Sequence, residues 1–397
     1  MIAENMVQLG QCKQIIREIA AYAGERRAVV GADNVFDFSI GNPSLPAPPR
    51  VNATIRRLLD EMDSVALHGY TAAVGDNRAR AAVAARESER AGHAISPDCV
   101  YMTCGAAASL TIAMKAIACP GDRMLVLAPF FPEYKVFVEN AGAELGVVPP
   151  ADLSMQPDLG ALEAAIDERV KAVIINSPNN PSGAILTEQT LTAVGDILRA
   201  AREKYGHEIF IISDEPYREL VYDGKTVPFV PNFYDDTLIC YSYSKSLSLP
   251  GERIGYVLVP PSVRDHDRVF AAVYGAGRSQ GYVCAPSLMQ YVVAECSQEH
   301  PDVAGYDGNR RLLYTALTEM GFECVRPDGA FYLFVKAPGG SAAAFCERAK
   351  KYELMFVPAD SFGVEGYVRI AYCTTEAMIR RSLPAFQKLA DECFGRA

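Results

Sequence analysis

Ser242-Tyr243-Ser244-Lys245-Ser246-Leu247-Ser248-Leu249-Pro250-Gly251-Glu252-Arg253-Ile254-Gly255-Tyr256 places a lysine amine, several hydroxyls and an arginine fork on one loop. The apolar run Leu238 to Tyr241 leads into it and reads as a buried strand. Side chains just past the carboxyl end of such a strand sit where open α/β sheets bind their ligands. An amine able to condense with an aldehyde, beside groups able to hold a phosphate, is one reading of the loop. An ordinary polar strand-to-loop turn is the other, and the rest of the chain decides between them.

Outward from this loop, short apolar runs alternate with amphipathic stretches. Val100 to Thr103 precedes Ala106 to Ala118, and Met124 to Ala128 follows; Leu159 to Asp167 precedes Ala172 to Asn176, and Glu188 to Lys204 precedes Ile209 to Ser213. Such alternation predicts an α/β fold with a largely parallel sheet covered on both faces. Asp158 and the Leu159, Leu162, Ile166 spacing support one helix. After Pro260 the pattern turns more helical, with strand-like runs at Phe331 to Val335 and Val368 to Tyr372. We therefore expect a large domain over residues 46–280 and a smaller α+β domain built from both chain ends, 1–45 and 281–397.

The 397 residues, half of them hydrophobic, suffice for two domains. A formal net charge of −10 argues against a broad footprint for nucleic acid or an anionic membrane. The N-terminal residues lack a basic segment followed by an apolar core, and no apolar run approaches membrane-spanning length, so a soluble, cytoplasmic protein is expected. The eleven cysteines are scattered without a Cys-x-x-Cys pair, and the five histidines lack metal-ligand spacing; reduced thiols and no metal are expected. Gly224-Lys225-Thr226 is not a P-loop, because Glu219 stands where the first glycine is required.

Four further segments carry chemistry. Asp214 follows the strand Ile209 to Ser213, where a carboxylate can pair with a protonated pyridine nitrogen and keep that ring an electron sink. Tyr217, three residues on, can reach a phenolic oxygen on the same ring, although an N-cap aspartate with a packed tyrosine has the same spelling. Asn180, in Asn176-Ser177-Pro178-Asn179-Asn180-Pro181-Ser182-Gly183, can donate to that oxygen or simply serve a turn. Cys104-Gly105-Ala106-Ala107 lies between strand and helix, where small residues let backbone N–H groups approach a phosphate, with Ser242, Ser244 and Arg253 completing the cup. Phe131 either stacks on the ring or fills core, and Arg369, interrupting an apolar run, either meets a buried acid or awaits a substrate carboxylate.

Together these residues describe a pyridoxal phosphate pocket, and in order and spacing the chain resembles the fold-type I aminotransferases of class I/II, the aspartate aminotransferase family. The resemblance runs from Ile40-Gly41-Asn42-Pro43 through Tyr70 and Gly75, Asn180-Pro181-Ser182-Gly183, Asp214-x-x-Tyr217 and Ser242-x-Ser244-Lys245 to Arg253 and Arg369. It implies a seven-stranded large-domain sheet, Lys245 as the Schiff-base lysine, Asp214 on the pyridine nitrogen, and Asn180 with Tyr217 on the phenolic oxygen. It further implies Gly105, Ala106, Ala107, Ser242, Ser244 and Arg253 on the phosphate, Phe131 on the ring face, and Gly41 and Arg369 on the substrate α-carboxylate. Tyr70 would reach the partner's phosphate across a homodimer. Where some relatives carry a lysine for a distal carboxylate this chain has Ala107, which puts specificity for aspartate in doubt; Arg278 could compensate or be a plain surface arginine.

The expected activity is transfer of an amino group from an L-amino acid to a 2-oxo acid. A carbon-sulfur β-lyase on the same scaffold is the alternative, and a regulatory protein that has kept the fold is a third, which the presence of Lys245, Asp214 and both arginines disfavours.

Overall fold

The computed structural model describes residues 2–12 and 15–395; residues 1, 13, 14, 396 and 397, which fall in the expected small domain, lie outside the described residues. The chain divides into two compact units, one of residues 43–305 with 328–330, the other of residues up to 42, 306–327 and 331 onward.

After β1 (Phe36–Asp37), the larger unit supplies β2 (Val100–Thr103), β3 (Arg123–Leu127), β4 (Glu144–Val148), β5 (Val170–Asn176), β6 (Phe210–Asp214), β7 (Thr237–Ser242) and β8 (Gly255–Leu258). These form one seven-stranded sheet in the order β2-β8-β7-β6-β5-β3-β4. Only β8 runs antiparallel to its neighbours β2 and β7; the remaining pairs are parallel. The central strands read as continuous apolar runs because both faces are covered. On one face Val173, Ile175 and Ile211 pack with Leu191, Val194 and Leu198 of the helix Glu188–Tyr205. Each such fully buried aliphatic side chain contributes roughly 1.5–3 kcal/mol. That helix starts where Thr187 Oγ1 accepts from Thr190 N at 3.1 Å and stops at Gly206, whose φ of +73° suits a residue without Cβ.

Elsewhere in this unit the helix Ser287–Cys296 packs on the helices Asn77–Ala91 and Pro49–Glu61. This packing keeps residues 281–305 with the larger unit, so the division expected near residue 280 falls after Gly305.

The smaller unit holds β9 (Cys324–Val325), β10 (Tyr332–Lys336), β11 (Leu354–Met355), β12 (Val357–Pro358) and β13 (Tyr367–Ala371). β1 pairs with β11 in parallel, and the others form an antiparallel sheet in the order β12-β13-β10-β9. Among the described residues no helix is long and apolar enough to cross a membrane, and no group of three or more His, Cys, Asp or Glu side chains is placed to hold a metal ion.

Candidate active site

The parallel register sets Asn176, at the end of β5, beside Asp214, at the end of β6, and Asp214 beside Cys240 of β7. Asp214 is buried. Its Oδ2 accepts from Tyr134 Oη at 2.5 Å and from Asn176 Nδ2 at 3.4 Å, and the same amide nitrogen donates to the Asp214 carbonyl at 2.9 Å. Oδ1 is also buried and has no hydrogen-bond partner in the protein. Burial pushes the Asp214 carboxyl up to about 7, with the Tyr134 hydrogen bond pulling it down and the Glu215 charge pushing it up. A carboxylate so placed lacks one thing, a cationic N–H donor at Oδ1.

Asn176 also holds the loop beyond β5, since its Oδ1 accepts from the Asn180 backbone N–H at 2.7 Å. Asn179 tethers that loop to the Phe131 segment by donating to the Pro129 carbonyl at 2.9 Å, while its own Oδ1 accepts from Ser182 N and Oγ. Phe131 is half-buried and meets Tyr134 edge to face at 5.8 Å. Tyr217 is buried in the turn that follows Asp214, its carbonyl accepting from Leu220 N at 2.8 Å.

At the end of β7 the chain enters a single helical turn, Tyr243–Ser246, that carries Lys245, a half-buried side chain. Ser242 Oγ caps this turn by accepting from Ser244 N at 3.1 Å and lies 2.6 Å from Ser244 Oγ. Arg253 has a φ of +53° and closes the loop through Nη1 to the Pro250 carbonyl at 2.9 Å. Its fork lies against Gly105, where a Cβ would sit 2.9 Å from Arg253 Nη2. Gly105, at φ +85°, is the N-cap of the helix Ala106–Ile117. Gly255 completes the fit, since a Cβ there would lie 2.2 Å from the Tyr241 carbonyl and 3.0 Å from Gly105 Cα. An arginine fork and a helix N-terminus thus share a cradle kept open by two glycines, which is the donor set a phosphate requires.

In the smaller unit, Arg369 is buried on β13, where its Nη2 donates to the Ser39 carbonyl at 2.6 Å and its guanidinium stacks on Tyr332 at 4.6 Å. Gly41 abuts the same tyrosine, because a Cβ would fall 2.0 Å from Tyr332 Oη. Tyr70, in the larger unit, is 98 % exposed. Arg278 is exposed near the end of the helix His266–Ser279, with its guanidinium over the Tyr274 ring at 5.8 Å.

Motif reading passes over Tyr134 and Asn176, which meet Asp214, and Tyr332, which meets Arg369 within the smaller unit. Only position could have found Tyr134, which follows Phe131 by one helical turn at the start of the helix Glu133–Ala141.

Residues 33–386 match the family described as aminotransferase class I and II. The chain is 30 % identical over 369 residues to the aspartate/prephenate aminotransferase of Thermus thermophilus, covering 89 % of this chain and 90 % of that one. It is 30 % identical over 365 residues to the aspartate aminotransferase of Thermotoga maritima, covering 90 % and 91 %. Its structure is similar to that of an amino transferase from Eubacterium rectale, with a TM-score of 0.97 and 52 % identity over 99 % of each chain.

Proposed function

Because the chain belongs to the class I and II aminotransferases, which work with pyridoxal 5′-phosphate, we propose the residue roles by which it moves an amino group from an L-amino acid to a 2-oxo acid. The observation that carries these roles is Asp214 Oδ1, a buried carboxylate oxygen without a protein donor. A pyridinium N–H is the group that fits it. When bound, the cofactor supplies an aldehyde carbon and a cationic ring that draws electrons from the substrate's α-carbon.

Asp214 holds the ring nitrogen and keeps it protonated. Asn180 and Tyr217 take the phenolic oxygen, and Phe131 covers the ring face. Gly105, Ala106 and Ala107 offer backbone N–H groups to the phosphate, while Ser242, Ser244 and Arg253 offer hydroxyls and a permanently charged fork. Lys245 Nζ would anchor the cofactor and, once displaced, would act as the base that takes the proton from the substrate's α-carbon and then as the acid that gives it up within the same half-reaction. Arg369 pairs bidentately with the α-carboxylate, assisted by the Gly41 backbone.

Tyr70 completes the partner's phosphate site in a homodimer; its almost total exposure in the single chain supports that role. Eleven free cysteines fit a reducing, cytoplasmic setting. The curated relatives named above are aminotransferases, which favours transfer over β-elimination. The test is an absorbance-monitored half-reaction of the holoenzyme against a panel of L-amino acids. Conversion of the cofactor to its amine form, reversed by 2-oxoglutarate, is expected; pyruvate and ammonia from a cysteine conjugate without such transfer would overturn the reading.

A further inference from the structure

Behind Asp214 lies a group of six charges, four of them buried and two half-buried, that the proposed chemistry does not use. Arg218 is at its centre, its side chain 2 % exposed, reaching Glu87 Oε1 at 2.6 Å, Glu219 Oε1 at 3.0 Å and Glu215 Oε2 at 3.3 Å. Arg90 bridges Glu87 at 2.9 Å and Glu215 at 3.0 Å, and Arg86 meets Glu219 at 2.6 Å. Three guanidiniums balance three carboxylates, so the group is neutral as a whole. Removing six charges from water is costly, and an apolar replacement of such a group is often as stable. Stability is therefore a weak account of its presence, and its position offers a better one.

The cluster reaches three of the strand ends that form the cofactor cradle in this unit, at Asp214, before Ser242 and beside Gly255. Glu215 directly follows Asp214, and its Oε1 accepts from Ser213 Oγ at 2.8 Å. The Arg218 guanidinium lies 3.8 Å from the ring centroid of Tyr241, the residue before Ser242. Tyr256, next to Gly255, donates to Glu87 Oε1 at 2.8 Å and accepts from Arg218 Nη2 at 2.7 Å. Tyr243, which opens the helical turn of Lys245, packs edge-on against Tyr241 with centroids 5.0 Å apart.

We propose that Arg218 is a positioning residue that sets the charge behind Asp214, cancelling Glu215 and its partner carboxylates so that Asp214 stays ionised against the cationic ring. The inference rests on the assignment of Asp214 to the ring nitrogen. The groups facing Asp214 from the neighbouring elements are Tyr134, Asn176 and Cys240, with Glu215 from its own segment and Tyr217 next to Tyr134. Burial holds the Tyr134 hydroxyl and the Cys240 thiol neutral, so Glu215 is the nearby carboxylate whose charge must be cancelled. Glu87 is held below the ordinary carboxylate range; burial opposes this, and the charges of Arg218 and Arg90 outweigh it. Without Arg218 one negative charge is left over, and every proton in the site is held more tightly.

The test uses the holoenzyme and reads the pH midpoint of the visible absorbance change of the bound cofactor, with Tm recorded alongside. Arg218→Met should raise the midpoint by about 0.5–1 pH unit, Glu87→Gln should lower it by a similar amount, and the double variant, neutral again, should return to the parent value. Midpoints that follow the loss of Tm rather than the sign of the charge would overturn the proposal. Should Arg218→Met fail to fold, Arg218→Lys keeps the charge and should hold the parent midpoint, while Glu87→Gln alone still carries the sign. Asp214→Asn separates the two readings: an unmoved midpoint there sinks the ring-nitrogen assignment and this inference with it, whereas a moved midpoint with inert cluster variants sinks only this inference.

Discussion

Tyr134 donates its hydroxyl hydrogen to Asp214 Oδ2 at 2.5 Å, joining the start of one helix to a strand end 80 residues away. This bond holds the Asp214 carboxyl down while burial and Glu215 push it up. A hydrogen bond to a charged group is worth about 1.5–3 kcal/mol. Tyr134→Phe should therefore weaken binding of pyridoxal phosphate by roughly 10- to 100-fold. Absorbance titration of the apoprotein measures this Kd, and an unchanged value would contradict the role.

Burial pushes the Asp214 carboxyl up to about 7 from the 3.8 of an ordinary aspartate. The native state thus keeps a proton that the unfolded chain gives up. The associated stability is fully present below the unfolded value and disappears as the pH rises through the native one. Between those limits the loss is about 1.4 kcal/mol per pH unit for one proton. Urea midpoints of apo Asp214→Asn should lack this component between pH 4 and 7, so the parent-minus-variant difference should fall as pH rises. A difference that stays level or climbs with pH would contradict the raised pKa.

Gly105→Ala brings a Cβ to 2.9 Å from Arg253 Nη2, at a φ of +85° that a residue with a side chain resists. The arginine fork must move away from the helix N-terminus. Loss of that preorganised contact should weaken cofactor binding by roughly 10-fold or more. Inorganic phosphate or pyridoxal phosphate titration reads the effect, and unphosphorylated pyridoxal should be far less sensitive, since it lacks the phosphate.

Gly41→Ala and Arg369→Lys attack one arrangement from two sides. The new Cβ at position 41 would fall 2.0 Å from Tyr332 Oη, displacing the ring on which Arg369 stacks. Lysine at 369 keeps the charge and loses the planar fork. Both should raise KM for the amino donor about 10- to 100-fold while Kd for the cofactor stays near the parent value. A cofactor defect without a KM defect would place Arg369 elsewhere in the protein's economy.

How much of this was legible in the sequence follows from the range of the interactions involved. Lys245, Asp214 and Asn180 announce themselves because each follows an apolar run, and a buried parallel strand writes itself as such a run. The antiparallel insertion of β8 beside β7 leaves no comparable trace, since a continuous apolar run does not reveal direction. Arg86, Glu87 and Arg90 look like the polar face of a surface helix, yet they are drawn inward by Glu219, Arg218 and Glu215 respectively, from more than a hundred residues away. Tyr134 is hidden for the same reason: a tyrosine's hydrogen-bond partner is chosen by tertiary packing, and no local spacing encodes it. The domain division after Gly305 likewise depends on how the helix Ser287–Cys296 docks, and not on a change in composition.

The claim on which the rest depends is that the Lys245 amine carries pyridoxal phosphate covalently. Reduction of the holoenzyme with borohydride, followed by peptide mass mapping, reads this directly. A single pyridoxyl phosphate mass on Lys245, absent from Lys245→Ala, is the expected result; a label on another lysine, or none at all, would contradict the account.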